Sequence, residues 1–180
     1  MMTILLFGVS CVGKTTIGSL LAQRLAYSFY DLDEEIKSYY HTSLEAFVNT
    51  GTLSERDQKR GEVISHLLSM PGSKVIAVSP MSNRRFFARY VRMENTLSIE
   101  LTDTPENIFS RMVFSDNQDK VYTDEDYKTQ HRVHYLHEIQ MDLDWYGRVY
   151  SFIPHKFDLD GKDAETAAAE IIERFGLNEQ

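Results

Sequence analysis

One eight-residue pattern near the N-terminus constrains the fold of this chain most strongly. Residues 8–15 have the sequence GVSCVGKT, which satisfies G-x-x-x-x-G-K-[ST] at every fixed position. An apolar run at 3–7 leads into the pattern, and an amphipathic segment at 15–26 follows it. Glycines let backbone N–H groups turn inward around phosphate oxygens, and the following helix directs its positive end toward the same place. The sequence therefore predicts a strand, a phosphate-binding loop (Walker A) and a helix.

The side chains of this motif predict both the nucleotide and the metal. Lys14 is expected to reach the β- and γ-phosphates, and the Thr15 hydroxyl can ligate Mg²⁺. We therefore predict ATP and Mg²⁺ as ligands. The predicted nucleotide-binding residues are Gly8, Ser10, Cys11, Val12, Gly13, Lys14, Thr15 and Thr16.

Alternating strand and helix patterns predict an α/β fold. Strands are expected at 3–7, 28–31, 75–78, 96–101 and 157–159, and helices at 15–26, 44–49, 55–69, 106–113 and 163–175. Such alternation produces right-handed βαβ units. We expect a three-layer P-loop kinase fold, with a five-stranded parallel sheet between helices. Residues 112–150 interrupt this rhythm and are polar and aromatic, which is typical of a lid that closes over a substrate.

Length and composition restrict the class of protein further. The chain has 180 residues, 42% hydrophobic and 26% charged, which suits a single globular domain over 1–180. Its net charge of −8 argues against a nucleic-acid partner, since that binding relies on basic surface. No apolar run approaches the roughly 20 residues that span a bilayer, and the first apolar run lacks the flanks of a signal peptide. We expect a cytoplasmic protein without a membrane partner, and the sequence leaves its oligomeric state open.

The phosphate loop alone does not distinguish water, a protein, a nucleotide or a metabolite as the phosphoryl acceptor. The residues after it resemble shikimate kinases over about 3–70. The segments TTIG at 15–18, LA at 21–22 and FYDLD at 29–33 follow that family's order. Phe47, Gly51 and Arg56 keep the spacing of its next block. A small-molecule kinase is therefore predicted, with a hydroxy acid such as shikimate as the acceptor and shikimate 3-phosphate as the product.

The resemblance implies roles for three further residues. Asp31 would hold Mg²⁺ through water, and Asp33 would accept hydrogen bonds from acceptor hydroxyls and orient or deprotonate the attacking one. Arg56 would bind a substrate carboxylate, for which a planar guanidinium is suited.

The second half of the chain departs from the family pattern. Shikimate kinases have three glycines after the third strand, where this chain has SPMS at 79–82. The family's lid arginine follows the equivalent of Arg111, but the stretch here is QDKV at 118–121. We predict that a cation among Arg111, Lys120 and Arg132 neutralises charge on the transferred group. We also assign Ser79, Arg132 and Arg148 to the acceptor site.

Two alternatives remain at this point. Gluconate kinases share the Gly-Val-Ser at 8–10, an acidic stretch near 53–57 and a serine after the third strand, as at Ser79. The chain could instead be a nucleotide-binding protein with degenerate kinase activity, since the three glycines and the lid arginine are missing.

Overall fold

The computed structural model describes residues 1–116 and 120–178. Its centre is a sheet of five parallel strands in the order β2-β3-β1-β4-β7. A short antiparallel hairpin, β5-β6, lies apart from it. The strands are Thr3–Phe7 (β1), Ser28–Asp31 (β2), Lys74–Ala77 (β3), Thr96–Thr102 (β4), Phe114–Ser115 (β5), Val121–Tyr122 (β6) and His155–Asp158 (β7). The predicted five-stranded parallel sheet is confirmed.

The helices surround this sheet. They are Lys14–Leu25 (α1), Leu32–Tyr40 (α2), Leu44–Val48 (α3), Leu53–Ser69 (α4), Ala88–Val91 (α5), Pro105–Arg111 (α6), Glu125–Gln130 (α7), Arg132–Val149 (α8) and Ala164–Arg174 (α9), with a 3₁₀ turn at Arg84–Phe86. None of the helices in these described ranges is both long and apolar enough to cross a membrane.

Each face of the sheet buries its own apolar core, because side chains alternate along a strand. From β1, Ile4 and Leu6 pack with residues of α1 and α9. Leu5 and Phe7 point the other way, toward α2, α4 and the end of α8. The sheet is therefore covered on both faces, as the apolar runs of its central strands predict.

The region predicted as a lid, residues 112–150, contains more regular structure than expected. It includes the β5-β6 hairpin, α7 and the 18-residue helix α8. Gln118 and Asp119, from the stretch compared with the family lid, lie outside the described residues. A lid function for 112–150 and a single domain over 1–180 stay predictions.

The parallel strands bring the candidate residues to one edge of the sheet. The phosphate loop follows β1, Asp31 ends β2, and Ser79 follows β3. The chain reverses its direction of winding around β1, which pairs with β3 on one side and β4 on the other. In open α/β sheets, ligands bind at such a switch point, beyond the carboxyl ends of the strands.

Candidate functional site

The phosphate loop has the backbone that its glycines require. Gly8 and Gly13 have φ values of +141° and +113°, in a region that L side chains rarely adopt. A Cβ on Gly8 would lie 2.6 Å from the carbonyl oxygen of Leu101. Among the described residues, no side chain caps the start of α1, which begins at Lys14. The first N–H groups of this helix are therefore suited to phosphate oxygens.

Lys14 extends back over this loop. Its Nζ donates hydrogen bonds to the carbonyl oxygens of Gly8, at 3.0 Å, and Val9, at 2.8 Å. Burial lowers the pKa of Lys14 from 10.5 to about 8, although the nearby carboxylates of Asp33 and Asp31 oppose that shift. A buried ammonium of this kind gains most from an anionic ligand that restores its charge balance.

The remaining motif residues differ in what they expose. Thr16 is exposed in the first turn of α1, whereas Val12 is fully buried and can present only its backbone to a phosphate. Ser10 and Cys11 line a cavity of about 170 Å³ between the loop and α8. Tyr135 and Ile139 of α8 form the opposite wall of this cavity.

A chain of hydrogen bonds connects the phosphate loop to the ends of β2 and β3. The Thr15 hydroxyl donates to Oδ2 of Asp31 at 2.6 Å. Oδ1 of Asp31 accepts from the backbone N–H of Asp33 at 3.0 Å and thereby caps α2. The Ser79 hydroxyl donates to Oδ1 of Asp33 at 2.5 Å. The structure thus brings four of the predicted site residues together.

The surroundings of Asp33 act on the pKa of its carboxyl group in opposite directions, and the net effect is to raise it. Burial is the main cause that raises the pKa of its carboxyl group, and the negative charge of Asp31 adds to this. The Ser79 hydrogen bond and the positive charges of Arg60 and Lys14 act in the opposite direction. This carboxyl group therefore holds a proton more readily than an exposed aspartate, which suits a group that accepts one during a reaction.

A buried ion pair in α4 lies close enough to Asp33 for the charge of Arg60 to act on its carboxyl group. Nη1 of Arg60 lies 3.1 Å from Oδ1 of Asp57, and their side chains are only 9% and 0% exposed. Oδ2 of Asp57 accepts from the backbone N–H groups of Ser82 at 2.9 Å and Asn83 at 2.8 Å. Nε of Arg60 is buried without a hydrogen-bond partner among the described residues. Asp57 is thus fully satisfied, whereas Arg60 keeps donor capacity for a ligand.

The loop after β3 is fixed from two sides. Asp57 holds it at Ser82 and Asn83, as described above. The backbone N–H of the fully buried Met81 donates to the Tyr150 hydroxyl at 3.0 Å. Tyr150, which directly follows α8, is itself fully buried. The SPMS segment is therefore a rigid, well-packed wall of the cleft.

Other residues assigned from the sequence lie elsewhere. Arg56 is half-buried, and its Nη1 donates to the carbonyl oxygen of Gly51 at 2.8 Å. It lines a surface cavity together with Glu55 and Lys59. The charges that act on Asp33 are those of Arg60, Lys14 and Asp31. Of these two arginines, one helical turn apart on α4, Arg60 is the one whose charge acts on Asp33.

The cations predicted to neutralise transferred charge (Arg111, Lys120 and Arg132) and Arg148, assigned to the acceptor site, have different surroundings. Nη2 of Arg111 lies 2.5 Å from Oδ2 of the buried Asp103, so this guanidinium is already paired. Lys120 is exposed, and Arg132 is exposed with its guanidinium 5.9 Å from the centre of the Phe109 ring. The guanidinium of Arg148 lies 5.9 Å from the centre of the Trp145 ring. None of these four cations contacts Asp33 in the described part of the chain.

Sequence reasoning missed Asp57 and Arg60, although a signal for them was present. The apolar face of α4 includes Ile64 and Leu67. Extending that face toward the N-terminus of the helix at spacings of four and three leads to Arg60 and Asp57. Two opposite charges on the buried side of a helix indicate a paired, inward-facing site.

Comparison with known proteins identifies the family. The family model described as "Shikimate kinase" matches residues 10–175. The chain belongs to the shikimate kinase family. This confirms the resemblance drawn from the first 70 residues and extends it over the divergent second half.

Individual relatives of the family are distant. The shikimate kinase of Chlorobium limicola is 33% identical over 114 residues, which cover 61% of this chain and 54% of that protein. The pentafunctional AROM polypeptide of Schizosaccharomyces japonicus is 29% identical over 96 residues, 50% of this chain and 6% of that protein. The alignments thus span about half the length, or less, of these two relatives.

Solved structures share the fold. A shikimate kinase from Bacteroides thetaiotaomicron matches with a TM-score of 0.73 at 21% identity, covering 98% of this chain and 99% of that one. A shikimate kinase from Acinetobacter baumannii, in complex with shikimate, matches with a TM-score of 0.70 at 20% identity and covers 97% and 93%. A gluconokinase from Sinorhizobium meliloti matches less well, with a TM-score of 0.58 at 14% identity and coverage of 97% and 95%.

Proposed function

We propose that this member of the shikimate kinase family is a kinase that transfers the γ-phosphoryl group of ATP to a hydroxyl of a small hydroxy acid such as shikimate. One observation carries the proposal. Thr15, Asp31 and Asp33 form one hydrogen-bonded arrangement at the carboxyl edge of the sheet, and Lys14 lies near enough for its charge to interact with both aspartates. Phosphate-binding, metal-binding and hydroxyl-binding groups are therefore adjacent, as an in-line transfer requires.

The residues present fit ATP and Mg²⁺. The positive φ values of Gly8 and Gly13 let the backbone of the loop turn around a phosphate, and Lys14 supplies a positive charge beside it. Thr15 and Asp31 offer hydroxyl and carboxylate oxygens, the ligand type that Mg²⁺ prefers. When bound, the metal neutralises charge on the phosphates.

Asp33 is the proposed partner of the acceptor hydroxyl. Its carboxylate can accept a hydrogen bond from that hydroxyl, orient it toward the γ-phosphate and receive its proton. Lys14 binds the phosphate side of the same cleft. For a cation that neutralises the transferred charge, Arg111, Lys120 and Arg132 stay candidates; Asp103 pairs with Arg111, whose buried Nε has no partner among the described residues.

The acid group of the acceptor is proposed to bind Arg60. The positive charge of this guanidinium acts on Asp33, and its Nε is buried without a partner among the described residues. A carboxylate oxygen would satisfy such a donor, and hydrogen bonds to charged groups contribute about 1.5–3 kcal/mol. Arg56, which the family spacing suggests for this role, is engaged with Gly51 instead. The proposal places the reaction in the cytoplasm, without a nucleic-acid partner.

The test is acceptor-dependent release of ADP. Purified protein with ATP and Mg²⁺ is assayed against shikimate, gluconate, other hydroxy acids and neutral sugars, and Lys14→Ala is the matched inactive variant. Shikimate or a related cyclic hydroxy acid should be the best substrate, and Lys14→Ala should lose turnover while its melting curve changes little. Preference for gluconate would support the gluconate kinase alternative. Binding of ATP without turnover on any acceptor would support the degenerate kinase.

A further inference from the structure

Ser79 occupies an unusual position for a residue next to a candidate catalytic group. It lies two residues beyond the end of β3 and is only 3% exposed. A serine hydroxyl has one proton, and here that proton is donated to Oδ1 of Asp33. Ser79 is therefore already engaged with the protein and is not a donor to the acceptor molecule, although the sequence placed it among the substrate-binding residues.

Asp33 needs a fixed partner because its surroundings pull its carboxylate in several directions. It lies in the first turn of α2. Arg60 from α4 and Lys14 from α1 attract it, and Asp31 at the end of β2 repels it. Ser79, at the end of β3, is the one described residue that donates a hydrogen bond to the carboxylate.

We infer that Ser79 is a positioning residue for phosphoryl transfer, which holds Oδ1 of Asp33 so that Oδ2 faces the acceptor hydroxyl. This inference rests on the proposed kinase function. Ser79 acts through Asp33, because its hydroxyl is donated to the Asp33 carboxylate. Ser79 lies just beyond a strand of the sheet, whereas Asp33 lies at the start of a helix. The bond also couples the ends of β2 and β3, so the direction of the carboxylate is set by the rigid sheet. Misplacing a reacting group by about 1 Å can cost about 100-fold in rate.

The test is a double-mutant cycle with Ser79→Ala, Asp33→Asn and their combination, assayed with ATP and the best acceptor. Ser98 supplies a matched control, because it is also a buried serine, and its hydroxyl donates to the carbonyl oxygen of Val91, remote from the cleft. Melting curves of Ser79→Ala and Ser98→Ala show whether each variant folds.

We expect Ser79→Ala to lower kcat at least about tenfold while KM for ATP changes less than about twofold. Ser98→Ala should keep the wild-type kcat. In the Asp33→Asn background, Ser79→Ala should change kcat by less than about threefold, because the residue it positions is already altered.

The outcomes separate this inference from the proposed function. A kcat for Ser79→Ala within about threefold of wild type, in an active enzyme, overturns the positioning role and leaves the kinase proposal intact. Losses that multiply in the double variant also overturn it, because Ser79 would then act independently of Asp33. Wild-type protein without acceptor-dependent turnover refutes the proposed function, and the positioning role fails with it.

Discussion

Replacing Asp57 by alanine should destabilise the protein strongly, because three hydrogen bonds meet at its fully buried carboxylate. Arg60 would remain charged, with its side chain only 9% exposed and without its partner, and the N–H groups of Ser82 and Asn83 would lose their acceptor. Breaking a buried ion pair from one side costs about 3–5 kcal/mol. At about 2–4 °C per kcal/mol for a chain of this size, the melting temperature should fall by roughly 6–20 °C.

Urea and thermal unfolding followed by far-ultraviolet circular dichroism measure this loss. Asp144→Ala, on the exposed side of α8, is the matched control and should stay within about 0.5 kcal/mol of wild type. The double variant Asp57→Leu/Arg60→Met should be more stable than Asp57→Ala, because it removes both buried charges. The reasoning is wrong if Asp57→Ala costs less than about 1 kcal/mol, or if the double variant is the less stable of the two.

Three further predictions concern the binding groups. The ammonium of Lys14 should lose its proton above about pH 8 in the free protein and keep it when ATP is bound. The Kd for ATP should therefore rise about tenfold from pH 7 to pH 9, with proton uptake on binding. Calorimetry that finds equal Kd values at both pH values contradicts this. Cys11, the single cysteine, lines the cavity beside the phosphate loop. ATP with Mg²⁺ should therefore slow alkylation of its thiol, as measured by mass spectrometry. Equal labelling rates with and without ATP would place the thiol away from the nucleotide. In steady-state kinetics, Arg60→Gln should raise KM for a hydroxy acid at least about tenfold and leave KM for its methyl ester unchanged. The control Arg56→Ala should raise KM for the hydroxy acid less than Arg60→Gln does. If Arg56→Ala has the larger effect, the family assignment to Arg56 is restored.

The parts of this fold that the sequence predicted are those specified locally. The phosphate loop is a contiguous motif whose backbone is determined by its own glycines, and β1 and β3 are continuous apolar runs of the kind buried in parallel sheets. Asp31 and Asp33 lie two residues apart at a strand end, so the sheet alone brings them to the loop. These features need no knowledge of distant contacts.

The parts that the sequence did not predict depend on tertiary contacts. In α8, Ile139, Leu143 and Tyr146 keep helical spacing and pack on the core, but the polar residues between them resemble a loop. For Arg60, helical spacing places the residue on the buried face of α4, but its pairing with Asp57 is completed by tertiary contacts of Asp57 with the loop after β3. Family spacing therefore favoured the neighbouring Arg56.

The link between Met81 and Tyr150 has a consequence for how this branch of the family can diverge. Pro80 has no N–H, and the N–H of Met81 is buried with the Tyr150 hydroxyl as its partner. A phenylalanine at 150 would preserve the ring packing with Phe7 and Phe87 but leave that N–H unsatisfied, at a cost of about 1–3 kcal/mol. The Tyr150 hydroxyl should therefore be retained whichever residue other than proline stands at 81, because the bond is made by the backbone N–H. A tyrosine about seventy positions beyond a Ser-Pro-Met segment would mark relatives that share this wall of the cleft, even where overall identity is too low to group them.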